Sequence, residues 1–121
     1  MNDYTNFLEE TEKDIKESGH NTDDVMFIGT ADGEYRINWN EFVKIANFDY
    51  DSGYGSAEIP TDLIVYFKDN TYMFRWEYDG SEWWEYLVRK PFKETDEFKP
   101  FKFKLDNSYR FFKPYKITDK E

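Results

Sequence analysis

The stretch RWEYDGSEWWEYLVRK, residues 75–90, constrains the fold more than any other, because it sets large rings at positions that must fall on both faces of a β-hairpin. Asp79 and Gly80 supply the turn. A two-residue loop would oppose Glu77 and Glu82, a like-charge pair that destabilises a sheet. A three-residue loop, with Gly80 left-handed, is therefore expected, pairing Glu77 with Ser81, Arg75 with Trp83 and Phe74 with Trp84. One face then carries Tyr72, Phe74, Trp76, Trp84 and Tyr86. The other carries Met73, Arg75, Trp83, Glu85 and Leu87, with Arg75 over the Trp83 ring. An antiparallel sheet packed on one side keeps polar residues on the other, so something must cover the second face here. A helix or the Phe-rich C-terminal segment could do so from within, as aromatic stripes are usually core. A partner protein could do so from outside, since Trp, Tyr and Arg dominate interface hot spots and flanking acids form a rim.

The rest of the chain reads as one α+β domain spanning 1–121, an antiparallel sheet of hairpins with one or two short helices packed on it. Residues 1–19 predict a mostly solvated helix from Asp3 to Ser18, stopped by Gly19. The core runs over 20–90. Val25–Thr30 and Glu34–Trp39 predict a hairpin turning at Ala31 to Gly33. Asn38, with Glu41 three positions on, predicts a capped helix whose Trp39, Phe42, Ile45 and Ala46 face a sheet. Residues 49–60 read as a loop, and the apolar run Leu63–Phe67 as a central strand. Residues 91–121 alternate Phe and Lys and predict a final hairpin or arm turning at Asp106 to Ser108.

The boxes NFDYDSGYGSAEI and RWEYDGSEWWEYLVRKP resemble those of a group of small uncharacterised proteins from bacteria and their phages, with YDSGxG and EYDGSEWW as the shared patterns. The similarity covers roughly residues 35 to 90 and implies no fold or activity for any residue.

Charge narrows the function. Residues 1–86 carry 20 acids and 6 bases, whereas residues 87–121 carry 6 acids and 10 bases. The bulk of the chain should repel nucleic acid and anionic membranes and attract basic partners. Lys99, Lys102, Lys104, Arg110, Lys113 and Lys116, interleaved with rings, could contact phosphates, but edge lysines also guard strands against aggregation. There is no cysteine, hence no disulfide framework and no thiol nucleophile. No signal-peptide pattern and no apolar run of membrane length is present, so a soluble, cytoplasmic protein is expected.

Catalytic constellations are weak. Asn47, Asp49, Asp51, Gly53, Gly55 and Glu58 take the spacing of a calcium loop, but Ser52 replaces the turn glycine and Ile59 and Pro60 forbid an exiting helix. Carboxylate pairs such as Glu77 with Glu82 or Glu85 beside aromatic walls suggest a sugar cleft, yet an acidic chain makes such pairs by chance. His20, the one imidazole, sits in a linker and is badly placed for a triad. The expectation is a non-enzymatic protein of phage or mobile-element type, without cofactor or metal, that binds a protein partner with a basic surface and masks it as an inhibitor. Trp76, Trp83, Trp84 and Tyr86 would anchor together with Arg75, while Glu77, Asp79, Glu82 and Glu85 would steer. An immunity protein against a toxin, a calcium- or carbohydrate-binding module and a structural protein are the alternatives.

Overall fold

The computed structural model describes residues 4–51, 59–78, 81–87, 98–103 and 116–117, with backbone alone for Glu77, Tyr86 and Leu87. The first element is a strand, β1 (Tyr4–Asn6), and helix α1 (Phe7–Glu17) starts only after it. Asn6 explains the boundary: its side chain accepts the Glu9 amide and so caps the helix, and Tyr4 and Thr5 are left for a sheet. At the other end Gly19, at φ +90°, closes the helix with the Gly19 amide on the Lys16 carbonyl and the His20 amide on that of Ile15. Outside one stripe the helix is solvated as expected, with Glu9, Lys13, Lys16 and Glu17 exposed. Phe7, Thr11 and Ile15 form one stripe at successive helical turns, and all three are fully buried.

A hairpin follows, β2 (Val25–Gly29) with β3 (Arg36–Ile37), then helix α2 (Trp39–Ala46) behind the predicted Asn38–Glu41 capping box. Gly29 is required where it stands, because a Cβ there would lie 1.7 Å from the Tyr35 carbonyl oxygen. Residues 49–51, read from sequence as loop, form β4 (Asp49–Asp51), which pairs antiparallel with β1. Strands β5 (Ile64–Phe67), β6 (Tyr72–Tyr78) and β7 (Ser81–Leu87) complete an antiparallel five-stranded sheet in the order β3-β2-β5-β6-β7. The central place of β5 agrees with its unbroken apolar run, and all four of its residues are buried. Of the predicted C-terminal hairpin, Lys99 extends the β3 edge by exchanging backbone hydrogen bonds with Glu34 and Arg36, and Phe101 and Phe103 pack on the core. The predicted turn at 106–108 lies outside the described residues.

Both helices cover one face of the sheet, and Phe7 is the centre of that core. Its ring stands 5.6 to 5.9 Å from those of Phe42, Phe48, Tyr50, Trp84 and Phe103, stacked on Trp84 and edge-on to Phe42, Tyr50 and Phe103. A ring that joins two helices and both sheets has no smaller substitute. Phe7→Ala should cost about 3 to 5 kcal/mol, much of the margin of a small domain. Urea denaturation followed by tryptophan fluorescence measures it.

Candidate functional site

The β6–β7 hairpin takes the register that like charge disfavours. Tyr78 pairs with Ser81, Glu77 with Glu82, Trp76 with Trp83, Arg75 with Trp84 and Phe74 with Glu85, leaving a two-residue turn. The expected three-residue loop is thus corrected, and with it the composition of both faces. Facing the helices are Met73, Arg75, Glu82 and Trp84, all buried. Facing away are Tyr72, Phe74, Trp76 and Tyr78 with Trp83 and Glu85. The like-charge pairing costs a few tenths of a kcal/mol to about 1. Turning Glu82 inward onto a buried arginine offsets that.

Arg75 organises the inner site. Its guanidinium is almost sealed from water; Nη2 donates to the Tyr50 hydroxyl at 2.9 Å and to Glu82 Oε1 at 3.2 Å, and Nη1 reaches Glu10 Oε2 at 3.5 Å. Tyr50 in turn donates to Glu10 Oε1 at 2.7 Å, and Glu82 Oε1 accepts the Ile59 amide at 3.2 Å. The cation lies over Trp84 at 4.9 Å, with Phe7 and Tyr50 slightly further away, so the expected contact with Trp83 is replaced by one with its neighbour. Trp84 Nε1 donates to Thr11 Oγ1 at 3.0 Å. Burial pulls the Arg75 pKa down, yet Tyr50, Glu10 and Glu82 together carry it above its ordinary value. Burial also pushes the Tyr50 phenol far up. Arg75, Glu82 and Trp84 are therefore interior groups and cannot anchor or steer a partner as the sequence suggested. Glu10, Thr11 and Tyr50 were missed. The signal for them lay in the α1 stripe and in the Asp-Tyr-Asp alternation of β4.

The outer face keeps Trp76, Trp83 and Glu85. Trp76 is 52% exposed and Tyr78 72%, while Trp83 is half-buried beside them, its Nε1 donating to the exposed Glu85 at 2.6 Å. Tyr78 was taken from sequence as a loop residue, and its exposure follows from the shorter turn. Asp79 and the side chains of Glu77 and Tyr86 lie outside what is described. Behind the exposed rings, Phe27, Ile64, Tyr66 and Tyr72 form a second cluster with Phe74, drawn among the described residues from β2, β5 and β6. Ring contacts run on from it through Phe74 to Trp76, edge-on at 6.1 Å.

His20 is fixed. Its ring stacks on Phe67 at 3.8 Å, with Nδ1 2.8 Å from Ser18 Oγ and Nε2 2.8 Å from Asp69 Oδ2. The three residue types are those of a hydrolytic triad, but Ser18 Oγ also donates to the Ile15 carbonyl at 2.7 Å and stands at a helix C-terminus, where dipoles oppose an oxyanion. The cluster pins the end of α1 to the β5–β6 turn. Hydrogen bonds from Thr71 and His20 hold the Asp69 carboxyl down at about 2. Of the calcium-loop residues, Asp49 and Asp51 lie in β4, and Asn47 and Asp49 accept from the Asn6 side-chain amide at 2.9 and 3.3 Å. Positions 53, 55 and 58 lie outside the described residues.

Fold and site define a small acidic α+β protein with a salt-bridged interior and an aromatic outer face. Compared with protein-family models, curated proteins and solved structures, the chain finds no match. Among the described residues no helix is long and apolar enough to cross a membrane.

Two outcomes test the interior. Arg75→Met should cost about 3 to 5 kcal/mol because it strands the Glu82 carboxylate in a dry core. Adding Glu82→Gln should recover part of the loss, a coupling of about 1 to 3 kcal/mol in a double-mutant cycle. Asp14 carries the pH signature: burial first, then Glu10 and Glu17, raise its carboxyl from 3.8 to about 6, against Lys13 and Arg75. The native state binds that proton more tightly than the unfolded chain, so ionised Asp14 costs stability above pH 6 and the cost fades as pH falls to 3.8. After allowance for solvent screening, Asp14→Asn should gain about 1 kcal/mol or less at neutral pH and nothing in acid. Melting curves across that pH range read both limits.

Proposed function

We propose that this chain is a small acidic protein-binding protein of phage or mobile-element type, which docks the outer face of its hairpin on a basic surface of another protein and masks it. The nucleic-acid site of a nuclease is the kind of surface meant. One observation carries the reading: Trp76 and Tyr78 stand out in water next to Trp83 and Glu85, at the end of a sheet face whose cluster, among the described residues, is built from strands. Two large rings left exposed on adjacent outward positions of a strand are costly unless something covers them. Tyr and Trp are also the residues that most often carry binding energy when buried at an interface. The acid excess of residues 1–86, 20 against 6, would speed the encounter with a cationic surface and reject anionic ones. Of the residues first expected to anchor, Trp76 and Trp83 remain in the role, with Glu85 to steer and Tyr78 added.

The test uses the whole chain, immobilised, to retain its partner from lysate, followed by titration of the purified partner. Trp76→Ala with Tyr78→Ala should weaken binding by at least about thirtyfold, as expected for hot-spot residues, while urea denaturation stays close to wild type. Raising the salt should slow association. Equal affinity of the double variant, or association indifferent to salt, would remove the basis of the reading.

A further inference from the structure

His20, the only imidazole of the chain, has partners on both ring nitrogens, and the other bonds of those partners fix what they require of it. Ser18 Oγ lies 2.8 Å from Nδ1, but its one proton goes to the Ile15 carbonyl at 2.7 Å, which leaves lone pairs towards the ring. Nε2 faces two oxygens. Asp69 Oδ2 stands at 2.8 Å and Thr71 Oγ1 at 3.2 Å, and the Thr71 hydroxyl gives its proton to Asp69 Oδ1 at 2.6 Å. Each of the three oxygens therefore accepts. A neutral imidazole carries one N–H and one bare nitrogen, so one contact would set lone pair against lone pair at hydrogen-bond distance. With both nitrogens protonated, no such clash arises.

The surroundings suit a cation. The His20 side chain is only 13% exposed, which works against a charge, but a carboxylate within hydrogen-bond reach works for it. Asp69 is fixed as that carboxylate. Thr71 supplies its hydroxyl and, at 3.1 Å, its amide to Oδ1, and these bonds with that of His20 hold the acid down at about 2. The imidazole also lies flat on Phe67, tilted by 5° at 3.8 Å, where a cation is drawn to the negative face of the ring. The last turn of α1 brings Lys16 and Glu17 to this region, residues 22–24 bring Asp23 and Asp24, and the turn after β5 brings Lys68 beside Asp69. Acids outnumber bases there. Asp24 is engaged with the Asn21 amide, and among the described residues Asp69 is the charged group bonded to the ring.

We propose that His20 is a proton-dependent latch: held as the imidazolium, it donates from both nitrogens and fastens the end of α1 to the turn that opens β6. The sign follows from the bonds. In the unfolded chain the ring gives up its second proton near pH ~6.5, whereas in the fold that proton also makes a hydrogen bond. The latch therefore contributes in full below about pH 6.5, and its contribution is lost as pH rises past the point where the folded chain releases the proton. Beyond that point the ring keeps Asp69 only if the Ser18 contact opens or Ser18 turns its proton away from Ile15. The end of the helix and the 68–71 turn then loosen together. None of these residues belongs to the exposed rings of the outer face, so the latch is independent of the docking reading.

Heteronuclear magnetic resonance of the ring nitrogens tests it on the full chain, and a single imidazole settles the assignment of the signals. At about pH 7, where a free imidazole is mostly neutral, the shifts of both His20 nitrogens should be those of protonated ones. Asp69→Asn should return the ring to a single N–H under the same conditions. Melting curves supply the second readout. Wild type should melt about 3 to 6 °C above His20→Gln at about pH 5, and most of that gap should close by about pH 9. Asp14 acts on both chains alike and cancels from the difference. The Trp84 indole N–H signal, reporting its bond to Thr11, shows that each variant remains folded. One bare ring nitrogen in the wild type at neutral pH overturns the inference, because Ser18 must then have turned its hydroxyl to the ring. A melting gap that stays constant with pH overturns it too. If both protons persist in Asp69→Asn, the carboxylate does not hold the second one and the latch falls.

Discussion

A guanidinium that cannot reach water sets the terms for this fold. Moving an ion of that size into a protein interior costs several kcal/mol even after relaxation, and only well-placed opposite charges and hydrogen bonds offset it. For Arg75 the compensation comes from four directions: Glu10 on α1, Tyr50 on β4, Glu82 on β7, and Trp84 beneath the charge. Glu10, Tyr50 and the β7 pair Glu82 and Trp84 lie far apart in the chain. Their convergence ties the small sheet, the first helix and the last hairpin into one arrangement that tolerates little error. Such a network adds less net stability than an apolar core of equal volume. What it adds here is selection, because a packing that leaves Arg75 unpaired is far worse than one that pairs it.

The hairpin register shows the selection at work. Considered as a ribbon alone, the hairpin should avoid setting Glu77 against Glu82 and should slip by one residue. The slip would exchange the faces of one strand and separate Arg75 from Trp84, and it would turn Glu82 out to solvent. It would also forfeit the bond from Trp84 to Thr11 and the stacking of Trp84 on Phe7. Several interactions worth about 1 kcal/mol or more each outweigh one unfavourable cross-strand pair. Tertiary context decides the register against local preference.

This marks where the sequence could be read and where it could not. Short-range patterns were legible: the Asn38–Glu41 capping box, the apolar β5 run and the α+β class all follow from neighbours within a few residues. The start of α1 was misplaced because Tyr4 and Thr5 suit a strand only if β4 is there to pair with them, and β4 hides in an acidic, glycine-rich segment. The depth to which the α1 stripe is buried also depends on distant partners. Phe7, Thr11 and Ile15 make a thin stripe among acids, and nothing local says that two sheets meet over it. At the site, Trp76 and Trp83 were legible as candidates, whereas sorting them from Trp84 required the register. Glu10 and Tyr50 are 40 residues apart in the hydrogen-bonded pair they form, beyond any periodicity.

The interior and the outer face are consequently one problem. Alternation along β6 means that whatever fixes Arg75 inward fixes Phe74, Trp76 and Tyr78 outward. The rings that water sees are therefore chosen by a charge that water does not see. A chain of this size with 26 aromatic residues has more ring surface than one core can take, and the excess must emerge somewhere. Here it emerges at the end of a line of rings that starts in the buried Phe27 and Tyr66 cluster, runs through Phe74 and reaches water at Trp76. The net charge of −10 is spread around that line rather than matched to it. A buried salt bridge that contributes little to stability thus decides which side chains the outer face of the hairpin presents.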